Sequence, residues 1–260
     1  MKKTFVIFLL ITLCLSVVAD ENQELNNEHY MMAVLWAQTS AEYAALTHQA
    51  YNIAKLRLDD ILQKDWQKPL AIIADIDETV LANAAYNARG VVQEQVYPAD
   101  FYEYIAQASG KAIPGALEFM EYAKVRGCEI FYITNRRVRG KAGTVVNLQK
   151  LGFPDADSSH VFMKVDVSSK EPRRQNIAKD YEIALLLGDN LNDFAKVYEK
   201  KSIAERKAWV KKQKQMFGRK FIIFPNPMHG AWEKALYDYR SGLSDEEQKL
   251  ESLKYLKTWK

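Results

Sequence analysis

"IIADIDETVLANAAY", residues 72–86, sets two aspartates one residue apart directly behind Ile-Ile-Ala, with Thr79 closing the group. A strand covered on both faces reads as a short unbroken apolar run, and Leu70–Ala74 is such a run. Ending it on Asp75 and Asp77 is costly in isolation, because crowded carboxylates repel and raise one another's pKa. The chemistry that needs them must therefore be sought in the rest of the chain.

Four more short apolar runs follow: Glu129–Ile133, Val161–Met163, Ile183–Leu187 and Phe221–Phe224. Helical stretches separate them, with Pro114 placed for a first helical turn and Gly127 and Gly152 placed as helix stops. Strand alternating with helix predicts an α/β fold, a Rossmann-like three-layer sandwich around a parallel central sheet. Residues from about 80 to 113, rich in Tyr, Asn and Ala, interrupt the alternation just after the first strand. An insertion there is expected as a small cap over the carboxyl ends of the strands, where open α/β sheets bind ligands. Upstream, His29–Trp66 contains neither Gly nor Pro and repeats apolar residues at helical spacing. That pattern predicts one long amphipathic helix or two joined ones.

Length and composition limit the alternatives. At 260 residues, 48% hydrophobic and 27% charged, the chain suits one well-filled core, here expected over residues 20–260. Lys2 and Lys3 lead an uncharged apolar run from Phe5 to Val18, read as a signal peptide over residues 1–19. Val17-Val18-Ala19 fits cleavage before Asp20, and the expected destination is export, periplasmic or secreted. Lipidation at Cys14 is the alternative, disfavoured by Leu13 where a small residue is wanted. Losing Lys2 and Lys3 takes the 36 basic residues to 34 against 33 acidic, a formal charge of +1. Such a balance gives no electrostatic case for a nucleic-acid polymer or an anionic membrane as partner, and no transmembrane segment is expected in the processed chain. Cys128 alone would remain, so no internal disulfide can form. The lysine- and arginine-rich stretch from 200 to 220 is interleaved with apolar Ile203, Trp209, Val210 and Phe217, as in a solvated helix face. Nothing in the sequence sets an oligomeric state.

Four groups of polar residues fall at the carboxyl ends of the first four predicted strands: Asp75 and Asp77, then Thr134-Asn135-Arg136, then Lys164 and Lys170, then Gly188-Asp189-Asn190 with Asp193. In a parallel sheet these ends are neighbours, so residues a hundred positions apart converge. Four carboxylates together require a cation, and an all-oxygen donor set without His or Cys points to a hard ion, Mg²⁺. The threonine and a lysine are suited to donate to phosphoryl oxygens.

The motifs "DIDETVL", "YITNR", "SSKEPRR" and "GDNLNDF" resemble the haloacid dehalogenase (HAD) superfamily of phosphotransferases. With "WAQTSAEYAALTHQAYNIAK", "AERKAWV" and "FGRKFIIFPNPMHGAWEKAL" the resemblance narrows to the bacterial class C acid phosphatases and spans nearly all of the processed chain. It implies an acid phosphatase acting on small phosphomonoesters, nucleoside monophosphates among them. Asp75 would be the nucleophile, giving an aspartyl-phosphate, and Asp77 the general acid and base, protonated when substrate binds. Mg²⁺ would be held by Asp75, the backbone carbonyl of Asp77 and Asp189, with Asp193 acting through water. Thr134, the amide of Asn135 and Lys170 would bind phosphate; Lys164, at a strand end, is the alternative to Lys170. Phe101 and His229 match the aromatic positions that hold a base, with Tyr86 of the cap beside them. In this sequence His229 replaces the commoner Tyr or Trp, and Leu81-Ala82-Asn83 replaces the family's Leu-Asp-Asn. The same residues would also serve transfer to another alcohol, or a binding protein without turnover, although a binder needs neither Asp75 nor Asp77.

Overall fold

A computed structural model of the chain describes residues 28–93 and 100–259. The apolar leader, Cys14 and the cleavage site before Asp20 lie outside the described residues. The first helical segment is two joined helices, α1 (Glu28–Thr39) and α2 (Ala41–Leu62). Ser40 breaks them with an extended backbone (φ −78°, ψ 134°), and its hydroxyl accepts the amide of Tyr43 at 3.0 Å. That bond satisfies one of the orphan amides of a new helix start. α2 then buries Tyr43, Thr47, Ala50, Tyr51, Ala54 and Leu58 as one stripe.

Thereafter the chain runs β1 (Leu70–Ala74), β2 (Leu81–Ala82), α3 (Ala84–Val92), α4 (Phe101–Gln107), β3 (Lys111–Ala112), α5 (Ala116–Val125) and β4 (Glu129–Arg137). It continues through α6 (Lys141–Lys150), β5 (Val161–Lys164), α7 (Glu171–Ile177), β6 (Glu182–Gly188), α8 (Ile203–Lys212), β7 (Phe221–Ile223), α9 (Ala231–Lys234) and α10 (Asp245–Leu253). The main sheet has the order β5-β4-β1-β6-β7, every pair parallel. All five expected strands are present. β4 extends beyond its apolar run to Arg137, with an irregular register against β5 between Ile133 and Arg137. Pro114 lies two residues before α5 rather than inside its first turn, and Gly115 (φ +86°) is the residue that immediately precedes the helix.

β1 separates two cores. Leu70, Ile72 and Ala74 face one apolar cluster, and Ala71 and Ile73 the other, the period of two that a pleated strand imposes. The first cluster takes Tyr51 and Leu58 from α2, Phe119 and Met120 from α5 and Leu148 from α6. The second takes Ile177 of α7 with Phe194 and Phe221, whose rings stack at 4.9 Å. Each such fully buried side chain contributes roughly 1.5–3 kcal/mol, which makes the three-layer packing the main source of stability.

Topology decides where a site can form. From β1 the chain moves outward to β4 and β5, then returns to β6 on the other side of β1. At such a reversal the loops leave in opposite directions and open a crevice at the carboxyl ends of the two central strands. The amide of Asp75 donates to the carbonyl of Leu187 at 2.9 Å, so β1 and β6 are joined at that crevice.

The insertion between β1 and α5 is closed at its base by the antiparallel pair β2–β3. Its helix α4 lies against α6, where Gly143 lets the backbones approach: a Cβ there would stand 2.4 Å from the carbonyl oxygen of Ile105. Asn147 of α6 holds the same segment by accepting from the Gly110 amide and donating to its carbonyl, both at 2.9 Å. Replacing Gly143 by Ala gains at most about 1 kcal/mol of helix propensity but overpacks a backbone contact, a cost of about 1–3 kcal/mol. Gly143→Ala is therefore expected to lower Tm by a few degrees, at about 2–4 °C per kcal/mol. A thermal melt with Tm unchanged or raised would show that the α4–α6 approach is not constrained.

Candidate active site

Asp75 leaves the end of β1 into the crevice, where its side chain is buried. Beside it Lys170, only 5% exposed, places Nζ 2.5 Å from Asp75 Oδ1 and 2.6 Å from Asp193 Oδ1. Lys164, half-buried at the end of β5, forms no ion pair among the described residues. Of the two lysines, Lys170 is the one inside the carboxylate group. Lys170 itself precedes the first turn of α7, and the Ser169 hydroxyl accepts the Glu171 amide at 3.4 Å while donating to Glu199 at 2.6 Å.

The second strand of the crevice supplies the other two acids. Asp193 folds back under the end of β6, its Oδ2 accepting the Asn190 amide at 2.9 Å, while the Asn190 side chain accepts from the Asn192 amide at 3.1 Å. Gly188 makes this possible, since a Cβ at that position would lie 2.5 Å from the Asp193 side chain. Asp189 points to the same place and accepts from Asn226 Nδ2 at 2.8 Å. One carboxylate oxygen from each of Asp75, Asp189 and Asp193 lies within 4.8 Å of the others.

Electrostatics shows what the cluster lacks. Burial, opposed by Lys170 but reinforced by Asp193, Asp189 and Asp77, raises Asp75 well above the ordinary carboxylate range. Burial and the Asp193 carboxylate lift Asp189 to about 7, against the pull of Asn226 and His229. Lys170 stays charged: burial opposes it, but Asp193 and Asp75 raise its pKa. One ammonium cannot neutralise three carboxylates, two of them buried, and a hard divalent cation among all-oxygen donors would. The residues fit such an ion. By contrast the grouping of Glu129, Asp155 and His160 is internally paired, through Lys124 at 2.9 and 2.7 Å and His160 at 2.8 Å.

Asp77 belongs to a different environment. Burial would raise its pKa, but the charge and hydrogen bond of Arg136, with a bond from Asn83, lower it below the ordinary value. Arg136 donates through Nε at 2.9 Å and lies 2.8 Å away through Nη2, while Asn83 Nδ2 donates at 2.7 Å. Thr134, fully buried, turns its hydroxyl to Asp77 Oδ2 at 3.2 Å. Asn135 is exposed and its side chain accepts from Arg173 at 2.9 Å, leaving its backbone along the strand end. Arg136, Asn83 and Glu78 form a layer beside Asp77 whose chemistry the sequence alone does not indicate. Glu78 has φ +56° and is buried, accepting the Asn83 amide at 2.8 Å. Arg136 stands three residues past the apolar run Glu129–Ile133 and Asn226 two past the run Phe221–Phe224, so both follow the end of a predicted strand.

His229 comes from the loop before α9 and sits 3.4 Å from Glu78 through Nε2, with its side chain 41% exposed. Burial would lower its pKa, but the Glu78 carboxylate, helped by Asp189 and Asp77, raises it to about 9. The ordinary imidazole titration near pH 6.5 does not apply, and His229 is a cation throughout acid and neutral pH. Phe101, at the start of α4, is 6% exposed, with Tyr86 edge-on at 5.0 Å and the Arg136 guanidinium 5.8 Å from its ring centroid. Phe101 and His229 thus reach the Asp77 layer through different partners, Arg136 and Glu78.

The crevice therefore contains a carboxylate beside an ammonium, a second carboxylate held by a guanidinium, a buried hydroxyl and a place for a cation. That set can attack phosphorus, neutralise the charge of a transferring phosphoryl group and protonate a leaving group. Comparison with known proteins agrees. The sequence profile of the HAD superfamily, subfamily IIIB (Acid phosphatase), matches residues 16–232. The structure of the class C acid phosphatase from Bacillus anthracis with tungstate bound is 39% identical over 91% of this chain and 99% of that one, with a TM-score of 0.88. A second structure of the class C acid phosphatase from Bacillus anthracis matches over 90% of this chain and 99% of that one, again at 39% identity and a TM-score of 0.88. The chain belongs to the HAD superfamily, subfamily IIIB, the acid phosphatases.

Proposed function

We propose that the protein hydrolyses small phosphomonoesters through an aspartyl-phosphate on Asp75, with Mg²⁺ as its ion. The observation that carries this is the Asp75–Lys170–Asp193 cluster in the crevice, with Asp189 alongside. A carboxylate oxygen of Asp75 attacks phosphorus while the bond from phosphorus to the ester oxygen breaks, and Asp77 delivers the proton that the leaving alcohol needs. Water then attacks the same phosphorus, its proton passes to Asp77, the bond to Asp75 breaks, and inorganic phosphate leaves. Lys170, the Thr134 hydroxyl and the Asn135 amide hold the non-bridging oxygens.

The ion would be held by Asp75, the backbone carbonyl of Asp77 and Asp189. Asp193 is already engaged by Lys170 and the Asn190 amide, which suits it to act at one remove. Bound there, Mg²⁺ supplies neutralisation of the charge on the phosphoryl group. Asp77 must carry a proton to act as an acid, yet Arg136 holds its pKa low. Protonation is therefore favoured only as pH falls, in keeping with an acid phosphatase. Asp75→Asn is expected to keep its fold and lose several orders of magnitude in kcat, and chelation is expected to abolish wild-type activity until Mg²⁺ is restored. Retention of more than about a tenth of kcat by folded Asp75→Asn would refute the covalent route.

Nucleoside monophosphates are the substrates that the surroundings of the crevice favour. Phe101 and His229 flank the Asp77 layer, and stacking a planar base is worth about 1–3 kcal/mol, which an aliphatic phosphate cannot gain. The expectation is a higher kcat/KM for a nucleoside monophosphate than for glycerol phosphate, with Phe101→Ala and His229→Ala reducing the first more than the second. Equal losses on both substrates would mean that these residues do not recognise the base.

Export rests on the basic start, the uncharged run Phe5–Val18 and Val17-Val18-Ala19. No helix among the described residues is long and apolar enough to cross a membrane. The intact mass of the exported protein is expected to correspond to a chain starting at Asp20; a mass showing a diacylated Cys14 would replace that reading with a lipoprotein.

A further inference from the structure

A helix packed on a protein body ordinarily turns its apolar side inward. In α10 the arrangement is reversed. The side facing the body is polar: Gln248 donates to the Leu243 carbonyl at 3.1 Å and Glu251 pairs with Arg240 at 2.6 Å. The side facing solvent carries Leu250, 56% exposed, and Leu253, and the turn beyond adds Tyr255, Leu256 at 70% and Trp259 at 95%. Leu250 and Leu253, three apart within α10, lie on one side of the helix, and Leu256 follows just beyond its end. Lysines 249, 254 and 257 are interleaved with them, all exposed. Lys254 pairs with Glu251 at 2.6 Å; Lys249 and Lys257 form no ion pair among the described residues.

We propose that this segment, residues 249–259, docks the protein on an anionic lipid surface. The charge pattern selects that occupant. A second copy of the chain, joined by a two-fold axis, would bring the same three lysines against one another across the apolar patch. An anionic bilayer accepts the leucines at its acyl boundary, the tyrosine and tryptophan at headgroup level and the lysines against its surface charge. The formal +1 of the processed chain says nothing against this, because the attraction is local and acts within a Debye length. Among the described residues no ion pair joins residues 249–259 to the crevice carboxylates, their partners being Arg240 and one another, and the proposal stands or falls independently of the phosphatase mechanism.

Co-sedimentation of the processed protein with vesicles tests it, the apolar run Phe5–Val18, which would bind lipid by itself, being absent from that form. Vesicles of phosphatidylcholine with an equal part of phosphatidylglycerol are expected to bind the protein at ~0.1 M salt and to release most of it as salt approaches ~0.5 M. Phosphatidylcholine alone should bind little. L253E/L256E and K249A/K254A/K257A should each weaken binding on the order of ten-fold or more, with unchanged hydrolysis of p-nitrophenyl phosphate showing that both variants are folded. Absence of binding, equal binding to both vesicles, or binding indifferent to either variant would overturn the proposal. Sedimentation velocity gives the remaining outcome: a dimer abolished by L253E/L256E, without vesicle binding, would make a second copy the occupant and refute the lipid surface.

Discussion

Lys170 Nζ lies between Asp75 and Asp193 in a space that solvent scarcely reaches, and the arrangement of the crevice depends on that placement. Removing one partner from a buried ion pair leaves an uncompensated charge and typically costs about 3–5 kcal/mol. Neither acid can therefore leave the cluster cheaply, and Asp193 in turn fixes the loop after β6 through the Asn190 amide. Gly188 yields its side-chain volume to let Asp193 in. The placement of Asp75, the conformation of the loop after β6 and the glycine at 188 are thus tied to a single ammonium.

The opposite side of the crevice is governed by Arg136, which is buried and bonds Asp77, Thr144 and Asn83 together. Here the protein supplies a full charge to a carboxylate that sits two residues from one that shares its single ammonium with Asp193. The two aspartates of one short motif are consequently driven in opposite directions, Asp75 toward its neutral form and Asp77 toward its ionised form. An ion among Asp75 and Asp189 reverses the first of these shifts, whereas the second is built into the chain itself. Division of labour between neighbouring acids follows from their surroundings rather than from their chemistry, which is identical.

Around this crevice the remaining structure controls access and placement. α6 serves both the core, through Leu148, and the inserted segment, through Gly143 and Asn147. The inserted segment brings Phe101 and Tyr86 into contact with one another and Phe101 toward Arg136. α10 makes polar contacts inward, through Gln248 and Glu251, and leaves Leu250 and Leu253 outside.

The alternation of apolar runs with helical stretches was enough to establish the five strands and the parallel sheet, because burial on both faces forces unbroken apolar runs that no solvent-facing strand would show. Polar residues just after those runs, from Asp75 to Asp193, were legible for the same reason: parallel strand ends are neighbours whatever the loops between them do. Ser40 shows where that legibility stops, since one continuous helix and two joined helices share a periodicity and only the capped Tyr43 amide distinguishes them. The choice of Lys170 over Lys164, the Arg136 guanidinium on Asp77 and the Glu78 carboxylate beside His229 are contacts between distant segments. Sequence determined which groups stand at the end of the sheet; tertiary structure decided which of them touch, and in a low-dielectric crevice a contact at 2.5 Å rather than a neighbour one turn away decides which acid keeps its proton.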